Sequence, residues 1–197
     1  VSGTLADPQI TASLTLIKAS FENILAGLLI TNINADAELR SHGDSTLTLS
    51  AEDGQGGSLT LDGTIGTFSD GFPLQLTGLI HDLAPLHRND LDINLSGEIA
   101  ITGKSTAPDI HADLTINKGQ YRILQSFGTD IPTLDVVEAG QPLQSATANT
   151  SGPTLDVHIA IPNQFFVRGA GLDSEWQGQL GITGVAVNPI ITGMLTS

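Results

Sequence analysis

The sequence predicts an all-β protein, in which an antiparallel, meandering sheet curls into an elongated groove with an aliphatic interior. Three observations lead to this fold class. Apolar and polar residues alternate with a period of two along most of the chain. Hydrophobic residues make up 40% of the 197 residues but aromatic ones only 4%, and 22 glycines would let strands bend around a smooth aliphatic face. A hairpin-like spacing of glycine and proline also recurs along the chain.

The alternation is clearest from Leu91 to Ile101, where every second residue is apolar or glycine. This pattern is typical of a long, half-buried pair of strands. One apolar and one polar side per strand indicates antiparallel strands with one face in water. The same interpretation predicts further strands at residues 10–16, 33–39, 47–51, 59–65, 74–80, 110–116, 155–161 and 180–184.

An internal repeat indicates where hairpins form. In each copy a strand ends at glycine, four variable residues turn the chain, and proline opens the next strand, where its missing N–H costs no ladder hydrogen bond. The copies, at intervals of 100 and 81 residues, are Gly3, Pro8, Ile10, Ala12 and Leu14; Gly103, Pro108, Ile110, Ala112 and Leu114; and Gly184, Pro189, Ile191, Gly193 and Leu195. Both ends of the sequence lie inside such a unit. We therefore expect one elongated domain over residues 1–197, as a fragment of a longer repetitive protein.

Two segments interrupt the alternation. Residues 20–29 carry Phe21, Ile24, Leu25, Leu28 and Leu29 at the spacing of an amphipathic helix, although a glycine within it weakens a helix. The alternative there is a loop at residues 22–26 between two strands. Residues 139–152, rich in Ser, Thr, Ala and Asn, predict a flexible connection.

Composition excludes several classes of function. A net charge of -14, from 21 acidic against 7 basic residues, would repel nucleic-acid phosphates, so no nucleic-acid partner is expected. No run of Lys or Arg forms a basic patch, so a membrane role would have to use apolar surface. With no cysteine there is neither a disulfide nor a thiolate metal site. The longest apolar run, residues 24–30, is shorter than the about 20 residues that span a bilayer, and no signal peptide is visible, so an export signal or anchor would lie upstream.

No residue pattern supports catalysis, a cofactor or a metal site. The stretch GEIAITGKS at residues 97–105 resembles a phosphate-binding loop, but its glycine spacing is one residue too long and it continues a strand where that loop opens a helix. The histidines lack ligand spacing and are interpreted as surface residues. The acidic residues fall mostly in turns or on the polar parity, where they keep a repetitive sheet soluble. The histidines are His42, His81, His87, His111 and His158, and the acidic residues are Asp44, Glu52, Asp53, Asp62, Asp70, Asp82, Asp90, Asp92 and Asp109.

The apolar parity is the candidate ligand site. A single curled sheet has no opposing sheet to cover an aliphatic face, and a large exposed apolar face normally marks a ligand or partner site. The alternative is that the face packs against itself, as in a β-sandwich. The expected groove-lining residues are Ile10, Leu14, Leu16, Leu47, Leu49, Leu59, Leu61, Leu74, Leu76, Leu91, Ile93, Leu95, Ile99, Ile101, Ile110, Leu114, Ile116, Leu155, Val157, Ile159, Leu180 and Ile182.

The last third of the sequence, which begins FFVRGAGLDSEWQGQLGITG at Phe165, resembles the C-terminal region of the TamB family. Residues 56–63, 119–123 and 131–138 also resemble the family, so the likeness spans most of the chain. The matching positions in the last third are Phe166, Val167, Arg168, Gly169, Gly171, Leu172, Asp173, Glu175, Gly178, Leu180, Gly184 and Pro189.

This resemblance implies a sheet that is taco-shaped in cross-section, within a long periplasmic rod anchored to the inner membrane of a two-membrane bacterium. It implies that the parent protein acts with the outer-membrane barrel protein TamA in protein secretion, autotransporter assembly and phospholipid transport. The expected function is a scaffold for outer-membrane biogenesis whose groove shelters phospholipid acyl chains. Nascent outer-membrane proteins are further expected partners, and no enzyme activity is expected.

Two other function classes stay open on the sequence. A chaperone-like scaffold would pair its exposed sheet edges with strands of nascent outer-membrane proteins. A purely structural β-solenoid would show short strands at a period of about 20–25 residues. The repeat intervals of 100 and 81 residues do not fit that period.

Overall fold

The computed structural model describes residues 2–4, 7–9, 11–25, 27–41, 43–67, 71–124 and 152–197, with side chains from residue 11 onward. All regular secondary structure in these residues is β. The strands are β1 (Ser2–Thr4), β2 (Asp7–Gln9), β3 (Thr11–Asn23), β4 (Leu28–Arg40), β5 (Ser45–Glu52), β6 (Ser58–Ile65), β7 (Pro73–Leu83), β8 (Leu91–Lys104), β9 (Ala107–Arg122), β10 (Thr154–Gly169), β11 (Leu172–Val185) and β12 (Ile190–Thr196).

Strands β3 to β12 form one ten-stranded sheet in the order β12-β11-β10-β9-β8-β7-β6-β5-β4-β3, beside a separate β1-β2 hairpin. The sheet is not closed into a barrel, because β3 and β12 lie at its two opposite edges. The predicted all-β fold with a curled sheet is confirmed.

One strand pair departs from the predicted antiparallel arrangement. Strands β9 and β10 are parallel, whereas the other neighbours in the sheet are antiparallel. A parallel pair needs a long crossover, and the chain from Arg122 to Thr154 provides the length for one. The flexible connection predicted at residues 139–152 falls in this stretch, of which residues 125–151 lie outside the described residues.

The predicted strands all lie within strands of the structure, except for Ile10, which is outside the described residues. Residues 91–101 are part of one continuous strand, β8, rather than a pair of strands. The strands are longer than predicted because their ends lose the strict alternation of apolar and polar residues.

The glycine–proline repeat marks hairpins, as predicted. Gly3 lies opposite Pro8 in the first copy, and Gly103 lies opposite Pro108 in the second. The third copy forms the turn between β11 and β12.

The described part of residues 20–29, which leaves out residue 26, forms a strand, a turn and a strand, so the loop interpretation is confirmed and the helix is wrong. Strand β3 ends at Asn23 and β4 begins at Leu28. The Gly27 N–H donates to the Ile24 carbonyl over 3.2 Å, and Gly27 has a φ of 66°. Glycine adopts this left-handed conformation without the steric cost of a Cβ, so the turn can close.

A line of β-bulges crosses the sheet, and we call it the bulge line. The pairing register shifts near the same level of several neighbouring strands, with residues at positive φ on β3, β4, β7 and β10 and an extra residue on β9. A bulge bends its strand and increases the local twist, so aligned bulges crease the sheet. The residues at the bulges are Lys18, Asn32, Asp82, Asn117 and Gln164.

Polar side chains take up the hydrogen bonds that the bulges free. The Asn117 amide nitrogen lies 2.7 Å from Asp82 Oδ1 and 2.9 Å from Asn94 Oδ1, and Asn94 in turn donates to the Asp82 carbonyl over 2.7 Å. The Gln164 N–H donates to Glu175 Oε1 over 2.7 Å. The bulge line is therefore stabilised by side chains from neighbouring strands.

The curl of the sheet is visible in how burial is distributed. Ala51, Leu83, Ile116 and Ile161 lie beside the bulge line and are only 2%, 4%, 7% and 2% exposed. On strand β7, Leu76 on one face is 6% exposed, whereas Leu79 on the other is 59% exposed. Such burial at the crease of a single sheet is expected if the sheet bends around its aliphatic face.

Asp53 is an exception to the prediction that the acidic residues are solvated. Asp53 is 3% exposed and lies in the turn between β5 and β6. It accepts hydrogen bonds from the backbone N–H groups of Gln55 (2.7 Å), Gly57 (2.9 Å) and Ala84 (2.8 Å). Asp53 therefore ties the β5–β6 turn to the connection after β7.

Candidate binding groove

The register of the sheet brings the predicted groove residues onto one face, which we call the aliphatic face. Cross-strand partners point to the same side of a sheet, so a chain of partners traces a row of side chains. One row crosses all ten strands: Leu16, Ala35, Leu49, Leu61, Gly78, Ile99, Ala112, Val157, Ile182 and Ile191.

Two further rows run beside the first on the same face. Their members are Leu14, Ala37, Leu47, Gly63, Leu76, Ile101, Ile110, Leu155 and Gly184, and then Ala51, Leu59, Ile80, Gly97, Leu114, Ile159, Leu180 and Gly193. The predicted residues Leu74, Leu91, Ile93, Leu95 and Ile116 share this face through their own partners, whereas Ile10 is outside the described residues. That these side chains line a ligand groove stays a prediction.

Glycines alternate with large aliphatic residues on this face. Gly78 lies between Leu61 and Ile99 on the neighbouring strands, and their side chains cover its Cα. A Cβ added at Gly78 would lie 2.4 Å from the Thr60 carbonyl oxygen, 3.0 Å from Leu61 Cδ1 and 3.1 Å from Ile99 Cγ2. Glycine here lets the neighbouring side chains close over the backbone, which a tightly bent sheet requires.

The aliphatic face is shielded but not sealed. Its side chains on the central strands are mostly half-buried, and at the β3 edge Leu14 is 63% exposed. No large side chain among the described residues is fully buried. Two tightly apposed sheets would bury both inner faces, so the burial favours an open groove over the β-sandwich alternative.

Aromatic residues continue this face on the far side of the bulge line. Phe165 lies opposite Trp176 and Gly119, and Val167 lies opposite Tyr121. A Cβ at Gly119 would lie 2.5 Å from the Phe165 ring, so the ring packs directly on the glycine. Local sequence does not reveal this grouping, because its members meet only through long-range pairing.

The polar face carries a histidine–carboxylate cluster across the parallel β9–β10 pair. His111 Nδ1 lies 3.2 Å from Asp156 Oδ2, and His111 Nε2 lies 3.2 Å from Asp113 Oδ2. The His158 ring packs edge-on against that of His111 with their centroids 6.0 Å apart. These histidines are exposed, as predicted, but the fold brings the pair together. Within the described ranges, no three His, Cys, Asp or Glu side chains are arranged to hold a metal ion.

We expect this cluster to stabilise the fold slightly more at acidic than at alkaline pH. Hydrogen bonding to Asp156 and then to Asp113 raises the pKa of His111. The stabilisation of the folded state by protonated His111 is therefore fully present below the ordinary histidine pKa of about 6.5, and it is lost as the pH rises through the raised pKa. The melting-temperature difference between wild type and His111→Gln should be small, because the groups are exposed, but larger at pH 6 than at pH 9. An equal difference at both pH values would contradict the assignment.

A shallow depression of about 380 Å³ also lies on the polar face, lined in part by Asp62, Glu98 and His111. Its carboxylates come from separate strands, whereas small-molecule pockets are concave and mostly apolar with few polar groups. The aliphatic face therefore remains the candidate site.

A family model of the TamB C-terminal domain matches residues 45–197, which include strands β5 to β12. No curated protein and no solved structure matches the chain. Among the described residues there is no helix of the length and hydrophobicity that crossing a membrane requires. Proteins of the TamB family are the non-enzymatic, periplasm-spanning component of the translocation and assembly module in outer-membrane biogenesis. Because the match covers well over half of the chain, this chain belongs to the TamB family.

Proposed function

We propose that this chain is a segment of a periplasmic conduit that shelters phospholipid acyl chains on its aliphatic face. The observation that carries the proposal is the row of aliphatic and small residues that crosses all ten strands without a charged member. Because the row runs across the strands, each added strand extends it by about 4.8 Å. A longer repetitive protein would carry the same surface further.

The energetics support an acyl chain as the cargo. Burial contributes about 0.8 kcal/mol per CH₂ group, so sheltering a chain of about 16 carbons offsets on the order of 10 kcal/mol of the cost of leaving a bilayer. The half-buried side chains of the central strands leave apolar surface for a ligand to cover. The crease along the bulge line crosses the strands in the same direction as this row, and it keeps the surface concave.

The test is a charge placed in the groove, with a matched charge on the other face. Ile101 is on the aliphatic face and the next residue, Thr102, is on the polar face. We expect native mass spectrometry to find co-purified phospholipid on wild type and on Thr102→Asp, and at least tenfold less on Ile101→Asp. A bound acyl chain would have to cover the new carboxylate, and every 1.4 kcal/mol lost is tenfold in affinity.

Folding must be checked before lipid loss is interpreted. Far-UV circular dichroism of Ile101→Asp should remain that of a β-sheet, and Leu114→Asp, on the neighbouring strand, provides a second groove variant. If folded Ile101→Asp and Leu114→Asp both retain wild-type lipid levels, the acyl-chain proposal is wrong.

A second candidate function rests on the exposed β12 edge. Every residue of β12 is exposed, with Ile191 at 65% and Met194 at 74%, on opposite faces of the strand. Strand β12 pairs with β11 on one side only, and an edge strand with apolar residues on both faces is a template for adding another strand. Strands of nascent outer-membrane proteins are its candidate partners, with TamA acting on the full-length protein. Crosslinking from Thr192 to client strands, rather than from Ile101 to lipid, would favour this function.

A further inference from the structure

An apolar tip projects from the sheet at the turn between β3 and β4. Ile24 is 82% exposed and Leu25 is 97% exposed. Isolated exposed apolar residues are common, but two adjacent large ones at the end of a hairpin form a protruding apolar surface. The tip lies on the aromatic side of the bulge line, because β3 passes the bulge at Lys18 before it reaches the turn.

Three arginines lie in a row along the end of the sheet that carries this tip, which we call the rim, starting at the base of the tip. A Cβ added at Gly27 would lie 2.4 Å from Arg88 Cγ, so the Arg88 side chain packs against the tip. The Arg122 N–H donates to the Asp90 carbonyl over 2.7 Å, which places Arg122 next to that connection. The Ile123 N–H donates to the Arg168 carbonyl over 2.7 Å, which places Arg168 beyond it. We call these three residues the arginine row.

The rim is nearly neutral, whereas the rest of the chain is strongly acidic. Residues 19–31, 52–58, 84–94, 118–124 and 164–174 hold four basic and six acidic residues, a net charge of -2, and the remaining three basic and 15 acidic residues give -12. Among the six acidic residues, Asp53 is buried. An acidic lipid surface therefore repels this rim less, residue for residue, than it repels the rest of the chain.

The arginine row keeps hydrogen-bonding capacity for phosphate. Arg88 is 40% exposed and forms a two-point contact with Asp90, and Arg168 is 44% exposed and donates Nε–H to Asp173 Oδ1 over 3.0 Å. Each guanidinium has five N–H donors in a planar fork that matches phosphate oxygens. Arg168 Nη1–H also donates to Gln120 Oε1 and Arg122 Nη1–H to the Asn89 carbonyl, each over 3.3 Å, so these bonds use at most two of the five donors of each guanidinium.

We propose that this rim docks on the surface of a phospholipid bilayer. Ile24 and Leu25 insert among the acyl chains, and the arginine row contacts the headgroup phosphates. Tyr121, which is 40% exposed beside the row, is suited to the polar–apolar boundary that tyrosine favours in membranes. Docking would hold one edge of the aliphatic face against the bilayer from which an acyl chain enters. This consequence rests on the proposed function.

The experiment is flotation of the full 197-residue chain with vesicles of phosphatidylethanolamine and phosphatidylglycerol. The matched control is Phe72→Asp/Val187→Asp, since these residues are 42% and 60% exposed in turns at the opposite end of the strands and lie outside β12. We expect wild type and this control to float with vesicles equally. The tip variant Ile24→Asp/Leu25→Asp should lose at least tenfold in vesicle partitioning, and Arg122→Gln should lose a few-fold.

The outcomes separate docking from lipid carriage. Wild type that fails to float, or a tip variant that floats like the control, overturns the docking proposal; the first result would also be expected if the tip binds a protein instead. Ile101→Asp should still float, because it lies away from the rim. If Ile101→Asp retains its lipid while the tip variant fails to float, the acyl-chain groove is wrong and the docking rim stands.

Discussion

Asp53→Ala is expected to lower the free energy of unfolding by about 2–5 kcal/mol. The carboxylate is buried and accepts three backbone hydrogen bonds, two of them, from Gly57 and Ala84, in buried surroundings. Each buried N–H left without an acceptor costs about 1–3 kcal/mol. Water can replace the third acceptor at the exposed Gln55. Urea unfolding followed by circular dichroism would measure the loss.

Asp62→Ala is the matched control, because Asp62 is an exposed aspartate on the adjacent strand β6. Its removal should change stability by no more than about 0.5 kcal/mol. Equal effects of the two substitutions would show that the Asp53 hydrogen bonds contribute nothing beyond surface charge.

Lowering the pH should reduce the difference in unfolding free energy between wild type and Asp53→Ala. Burial raises the pKa of Asp53, but the backbone N–H donors of Ala84, Gln55 and Gly57 outweigh burial and leave this pKa below its ordinary value. A lowered folded-state pKa means that the stabilisation is fully present above the unfolded-state pKa of about 3.9 and is lost as the pH falls through the folded value. The gap in unfolding free energy should therefore be constant above about pH 5 and narrow on further acidification.

The strands and the composition of their two faces were predictable from local sequence. A period of two places Leu47 and Leu49 on one side of a strand whatever the strand pairs with. The glycine–proline spacing also identified the β8–β9 hairpin, because a tight turn fixes the pairing register around Gly103 and Pro108. Local pattern was therefore enough for the elements and for the membership of the aliphatic face.

The features that depend on long-range register were not predictable. The bulge at Lys18 interrupts a strand without a glycine or proline to mark it, whereas the bulge at Gln164 has a local signal in Pro162, which lies inside the register shift. The arginine row joins Arg88, Arg122 and Arg168, which are far apart in sequence and become neighbours only through the pairing of β8, β9 and β10. The absence of a basic run therefore did not preclude a row of cations.

The parallel β9–β10 pair is the third such feature, and it also assembles the histidine cluster. His111 and Asp156 face each other only because β10 runs in the same direction as β9. Alternation gives the side on which a residue lies but not the direction of its neighbour. Asp53, by contrast, had a local signal, since an aspartate followed by a glycine-rich turn often accepts N–H bonds from that turn.

Curvature is the property that joins the fold to its proposed function, and glycine on the aliphatic face is where it can be altered. An alanine on a flat sheet projects into free space. On the aliphatic face of this sheet, the neighbouring backbone and side chains have already closed over the glycines, as the contacts around Gly78 show. Adding a methyl group there should oppose the bend without adding charge or removing a hydrogen bond.

Gly78→Ala is therefore expected to destabilise the sheet by about 3 kcal/mol, the upper part of the range for an overpacked site. The nearest obstacle is the Thr60 carbonyl oxygen, a backbone atom on the neighbouring strand that cannot rotate away. The β6–β7 ladder would have to shift, and the side chains of Leu61 and Ile99 would have to move with it. Equilibrium unfolding measures the stability, and small-angle scattering would detect an opening of the curl.

Gly181→Ala separates curvature from the ordinary effect of removing a glycine from a strand. Gly181 lies within β11 opposite His158, on the polar face, and the only atom that a new Cβ would approach within 4 Å is the rotatable Thr192 Oγ1, at 3.3 Å. There the lower backbone entropy of alanine in the unfolded chain should leave stability unchanged or raise it by up to about 1 kcal/mol. If Gly78→Ala were as benign as Gly181→Ala, the glycines would not be holding the curl. The concavity that shelters an acyl chain would then need another cause.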